Sequence, residues 1–169
     1  MLSRILVPID GTECSWRALE YACELVRLSG GSLVIMTVDK GRHAEPVLAA
    51  EGDALFAHIG NEVLDSANAM LAGKNIDCTY LLENGGNVAT SILETVQEED
   101  CDGIVLGSRG MGVLEGIFRS SVSQLVLENA NVPITIFILA VQGGAVKMVS
   151  PCFVHICKHF VYIVISEWF

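Results

Sequence analysis

The chain has 169 residues, 51% of them hydrophobic, and a formal net charge of −10 from 20 Asp+Glu against 10 Lys+Arg. That length suits one domain with a sizeable core. The acidic balance excludes a broad basic footprint, so neither nucleic acid nor an anionic membrane is an expected partner, although local backbone donors can still hold a small anion.

SRILVPI, residues 3–9, reads as a strand and is too short to be the apolar core of a signal peptide, so the expected location is the cytoplasm. The six cysteines (Cys14, Cys23, Cys78, Cys101, Cys152 and Cys157) form no C-x-x-C pair and read as reduced thiols in small core or helix positions. Asp10-Gly11-Thr12 breaks the first strand, and Thr12 suits a helix N-cap. Residues 13–28 have helical spacing, with Leu19, Ala22 and Val26 on one stripe and Gly30-Gly31 as the stop. LVIMTV, 33–38, is an apolar run suited to a strand buried on both faces.

Residues 39–52 read as a loop, and 53–72 as a long helix carrying Leu55, Ile59, Val63 and Met70. IDCTYLL, 76–82, is a third strand, and 84–87 a turn. Residues 88–99 form a third helix with Val88, Ile92 and Val96 inward, and GIVLG, 103–107, a fourth strand. A Gly/Ser loop then leads to a helix at about 120–130, and ITIFIL, 134–139, follows Pro133 as a fifth strand.

Strands alternating with helices imply a parallel sheet covered on both faces, a doubly wound α/β fold. In a 3-2-1-4-5 order the ligand crevice lies at the carboxyl ends of strands 1 and 4. Asp10 follows the first of these and Gly107 the second.

GSRGMGVLEGIFRSSVS, 107–123, holds four glycines and four serines but no G-K-[ST] ending, so it is not a P-loop. Gly107, Gly110 and Gly112 let backbone approach a ligand, and Ser120, Ser121 and Ser123 stand at a helix start, where free N–H groups favour an anion. The competing reading is a flexible crossover loop with an ordinary serine cap.

The spacing resembles the universal stress protein family, whose loop runs glycine, two residues, glycine, nine residues, glycine, then serine or threonine. Gly107, Gly110 and Ser121 match, and Ser120 stands in place of the last glycine. ILVPIDGTECSWRALEYA, DCDGIVLGSRGMG and NVPITIF extend the resemblance over about 3–139. It implies a Rossmann-like domain over 1–140 that binds ATP or a related adenine nucleotide (AMP or ADP), with Mg accompanying a triphosphate.

Carried over by position, Pro8, Ile9 and Asp10 would line the nucleoside side, and Val38 would offer backbone to adenine. Leu106, Gly107 and Gly110 would wrap ribose and phosphates, and Ser120, Ser121, Val122 and Ser123 would meet the phosphates. Asp10 also suits a plain turn cap. Arg109 suits either a phosphate or a nearby carboxylate. Serine at 120 costs about 1 kcal/mol if the site needs a positive φ, whereas its hydroxyl adds a contact if only close approach is needed.

The resemblance further implies a stress-response regulator or scaffold that forms a homodimer through its last strand. The alternatives are a nucleotide-independent interaction module and a slow ATPase or phosphotransfer protein. No catalytic residue is assigned, because the loop lacks a Walker lysine and the histidines (43, 58, 155 and 159) are distant in sequence. A phospho-accepting receiver domain would need an acidic pair after strand 1 and a lysine after strand 5, and neither is present.

Residues 141–169 are an atypical apolar extension after a Gly143-Gly144 linker. The run 152–165 is short for a membrane span. It reads as an extra strand or strand pair covering an edge, or as a sticky extension. On one strand, His155, Cys157 and His159 would share a face suited to a metal, without a fourth ligand.

Overall fold

A computed structural model describes residues 2–39, 49–84, 86–108, 121–139, 153–156 and 159–166, with side chains described over 2–38, 60–84, 86–108 and 122–137. The elements run β1 (Arg4–Pro8), α1 (Glu13–Ser29), β2 (Ser32–Asp39), α2 (Ala49–Leu71), β3 (Asp77–Asn84) and α3 (Val88–Glu98). They continue as β4 (Gly103–Ser108), α4 (Ser121–Asn129), β5 (Ile134–Leu139), β6 (Phe153–Ile156) and β7 (His159–Ser166). The sheet order is β3-β2-β1-β4-β5-β7-β6. Its first five strands are parallel and stand in the expected 3-2-1-4-5 order.

Alternation along the strands feeds two cores. Ile5 and Val7 of β1, with Ile9 just after it, pack with Leu33, Ile35 and Val105 under α1 and α2. Leu6, Val34, Met36, Ile104 and Leu106 pack with Ile134 and Ile136 under α3 and α4. Near-continuous apolar strands are what a sheet covered on both faces requires.

The helix ends follow local chemistry. Thr12 caps α1, its hydroxyl accepting from Ser15 N at 3.4 Å, and Gly30 closes it. The Asn87 side chain accepts from Ala89 N and Thr90 N to cap α3.

Three expectations are corrected. α2 begins at Ala49, inside the stretch read as a loop. Within the described part of that helix the buried line is Gly60, Leu64, Ala67 and Leu71, with Val63 and Met70 half-buried beside it. Leu55 and Ile59 lie outside the described side chains. β3 runs two residues beyond its expected end, to Asn84. In the tail, β6 ends at Ile156 and β7 starts at His159 in the opposite direction, so His155 and His159 occupy different strands and the single-strand face is lost.

The tail does supply the strand pair. β7 pairs parallel with β5, and β6 antiparallel with β7. The edge expected to form a homodimer is therefore occupied within the chain.

Candidate functional site

The sheet is fastened at its amino end, while the β1–β4 register stops short of the carboxyl end. At the amino ends of β1 and β4, the Asp102 carboxylate accepts from Ser3 N at 2.8 Å, Ser3 Oγ at 2.6 Å and Arg4 N at 3.0 Å. Asp102 N donates to Arg4 O at 2.9 Å, and Arg4 pairs with Glu99. Burial works against the Asp102 charge, but the Ser3 hydroxyl and the Ser3 and Arg4 amides hold its carboxyl below the ordinary value.

The register between β1 and β4 covers only Ile5↔Gly103 and Leu6↔Ile104. Both strands continue past it, to Pro8 and Ser108, without pairing to each other. Pro8 has no N–H to offer a neighbour. This unpaired stretch at the carboxyl ends is the switch point of the sheet, where ligands of open α/β folds bind.

Several residues expected at a site converge here. Leu106 and Val38 belong to the α3/α4 side, Val122 packs against the same core from the first turn of α4, and alternation puts Pro8 on the side of Leu6. Asp10 is exposed at the lip. Its Oδ1 accepts from Thr12 N at 3.1 Å and from the Thr12 hydroxyl, while Gly11 takes a left-handed φ of 77°. Trp16 Nε1 donates to Gly11 O at 3.1 Å and holds the turn against α1. Asp10 thus acts as a turn cap in the structure. About two of a carboxylate's four lone-pair sites are used in this way, so it keeps acceptor capacity toward a ligand.

Other expected residues lie elsewhere. The Ile9 side chain is buried in the α1/α2 core, on the opposite side from Leu106, and its N–H donates to Met36 O at 2.8 Å. Gly107 faces α1, where an added Cβ would meet the Cys14 carbonyl oxygen at 2.5 Å. Ser123 is buried in the first turn of α4. Ser121 opens that helix, with its side chain outside the described set. Arg109, Gly110 and Ser120 lie outside the described residues.

Sequence reading missed Ser108, which ends β4 two residues beyond Leu106 on the same face and is 7% exposed. Its signal was the alternation along β4, which a glycine-centred reading passes over.

The carboxyl ends of β1 and β4 thus bring two helix starts near one carboxylate, Asp10. Helix starts suit an anionic group, and the carboxylate suits a hydroxyl donor beside it. Among the described residues there is no group of three or more His, Cys, Asp or Glu that could hold a metal. Among them, too, no helix is long and apolar enough to cross a membrane.

The model of the Universal stress protein family matches residues 1–137. The chain is 30% identical over 149 residues to universal stress protein YxiE of Bacillus subtilis (strain 168), covering 80% of this chain and 99% of that protein. Among solved structures, a universal stress protein family member from Burkholderia pseudomallei superposes with a TM-score of 0.67 at 24% identity, over 80% of this chain and 95% of the other. An Arabidopsis thaliana protein of the family, solved with AMP bound, superposes with a TM-score of 0.62 at 18% identity, over 80% of this chain and 91% of its own.

Proposed function

This chain belongs to the universal stress protein family, and from that premise we propose that it binds ATP or a related adenine nucleotide at the carboxyl ends of β1 and β4. In this reading residues 1–140 are the nucleotide-binding unit, acting in the cytoplasm as a stress-response regulator or scaffold rather than a fast catalyst. The observation that carries it is the unpaired stretch beyond Leu6 and Ile104, with Pro8, Val38 and Leu106 on one face and Asp10 at its lip.

Nucleoside would rest on the Pro8, Val38 and Leu106 side. Phosphates would meet the glycine loop through Gly107 and Gly110 and the α4 start through Ser120, Ser121, Val122 and Ser123, with Arg109 as a charge partner. Asp10 would contact ribose or a Mg-associated phosphate. Solved relatives carrying AMP, cAMP and dAMP support an adenine nucleotide as the ligand class. Occupancy would bias the surface or the assembly only through differential affinity for two states.

Calorimetric titration of the full chain with Mg-ATP and with AMP tests this reading. Saturable binding is expected, weakened at least tenfold in Gly110→Asp, a loss of about 1.4 kcal/mol. The absence of any binding at millimolar nucleotide overturns the reading and leaves the nucleotide-independent interaction module. ATP turnover that disappears with the same substitution would instead favour the slow ATPase.

A further inference from the structure

The first turn of α1 clamps the turn that precedes it. Counting from the Thr12 cap, Trp16 is the fourth residue of the helix, a position whose side chain ordinarily staples to an apolar residue just before the cap. Here that preceding residue is Gly11, which has no side chain and takes a left-handed φ of 77°. Trp16 reaches its main chain instead, Nε1 donating to Gly11 O at 3.1 Å. The ring itself is half-buried against the α1/α2 core. On the α2 side a methyl at Gly11 would meet Val63 Cγ2 at 3.4 Å, so the turn stands between two helices.

Gly11 O and Thr12 N belong to one planar peptide group and point in opposite directions. Trp16 holds the carbonyl end, and the N–H end donates to Asp10 Oδ1 at 3.1 Å. Pinning one end fixes the direction of the other, and two hydrogen bonds in series through a peptide polarise each other. A peptide next to glycine rotates more freely than most, so the indole bond restrains a unit that is otherwise easily turned. The Thr12 hydroxyl donates to the same Oδ1, and neither bond uses Oδ2. The main chain of Asp10 is tied to α1 separately, its N–H donating to Ser15 Oγ at 3.4 Å.

We propose that Trp16 is a positioning residue for the nucleotide site: its indole N–H, acting through the Gly11–Thr12 peptide, holds the Asp10 carboxylate in the orientation that accepts from a ribose hydroxyl of the ligand. The role rests on the adenine-nucleotide reading of the crevice and adds to it a residue that no glycine or serine motif includes.

Calorimetric titration with AMP tests it on the unsubstituted full chain, Trp16→Phe, Asp10→Ala and the double variant. Phenylalanine keeps an aromatic ring and removes the donor. Trp16→Phe should weaken AMP about fivefold where Asp10 is present, the worth of one hydrogen bond, and should change nothing further in the Asp10→Ala chain. Equal weakening in both backgrounds would show that the indole acts through packing alone and overturns the proposal, as does an unchanged affinity.

Amide exchange in the ligand-free chain separates that failure from failure of the nucleotide reading. Trp16→Phe should speed exchange at Thr12 and leave Ala89 and Thr90, held by the Asn87 cap of α3, as they were. Unchanged exchange at Thr12 overturns the relay whatever the nucleotide does. Faster exchange at Thr12 in a chain that binds no AMP overturns the nucleotide reading, and with it the role of Trp16 there. Trp16→Met, which fills space without a donor, repeats both measurements where the α3 amides show that phenylalanine disturbs the fold.

Discussion

Replacing Gly107 with alanine should destabilise the fold more than any other single methyl addition at a described glycine. The added Cβ would lie 2.5 Å from the Cys14 carbonyl oxygen, 2.6 Å from its carbon and 2.7 Å from Ser15 N. These are backbone atoms of the first turn of α1 and cannot rotate away. They stand about 1 Å inside the ~3.5 Å of a relaxed contact, so α1 or β4 must move by that amount. Overpacking of this kind costs about 1–3 kcal/mol, and a backbone obstacle puts the cost at the upper end. With a urea slope of about 1–3 kcal/mol/M, the unfolding midpoint should fall by about 1 M or more.

Gly30→Ala is the control. It has a φ of 70° with nothing within 4 Å of the new Cβ, so only backbone strain of about 1 kcal/mol applies. Equilibrium urea unfolding followed by circular dichroism reads both variants. If Gly107→Ala falls no further than Gly30→Ala, the close packing of α1 on β4 is refuted. A retreat of α1 would also carry the Asp10–Thr12 turn away from the crevice. Loss of nucleotide binding in this variant would therefore report packing as much as contact.

Thr12→Ala removes the α1 cap and the hydroxyl that donates to Asp10, and should cost about 1 kcal/mol in the same unfolding assay. Asp102→Asn tests the clasp at the sheet base. Its carboxyl has a folded pKa below the usual 3.8, so its contribution is present above that value and lost as pH falls through the folded one. Asp102→Asn should lower the urea midpoint at pH 7 and flatten its fall as pH drops below about 3.8. Burial pushes the thiols of Cys23 and Cys101 up to about 11. Native protein at pH 7.5 should alkylate there far more slowly than urea-unfolded protein, as read by mass spectrometry.

Sequence made the five-strand order legible because apolar runs such as LVIMTV and GIVLG suit strands buried on both faces, and helices separate them. The crevice was legible for the same reason, since strand order places it beside Asp10 and Gly107. Side-chain direction was less so. Ile9 was carried over from the family together with Pro8, yet a strand sends neighbouring side chains to opposite faces, and that of Ile9 went to the α1/α2 core. Gly107 was read as letting backbone approach a ligand, and the structure shows a second need for glycine there, since a Cβ would meet the first turn of α1. The start of α2 was missed because Gly52 and the polar run before it imitate a loop. The tail was read as an edge cover, but its reversal between Ile156 and His159 has no Gly, Pro or Asn to announce it.

The central claim is that nucleotide sits at the carboxyl ends of β1 and β4. The most direct measurement is a backbone amide NMR titration of the isotope-labelled full chain with AMP and Mg-ATP. The account predicts saturable shifts at Asp10, Thr12, Val38, Ser108 and Val122, with Ser3 and Asp102 at the opposite end unmoved. Shifts centred on Ser3 and Asp102, or none at all at millimolar nucleotide, would contradict it.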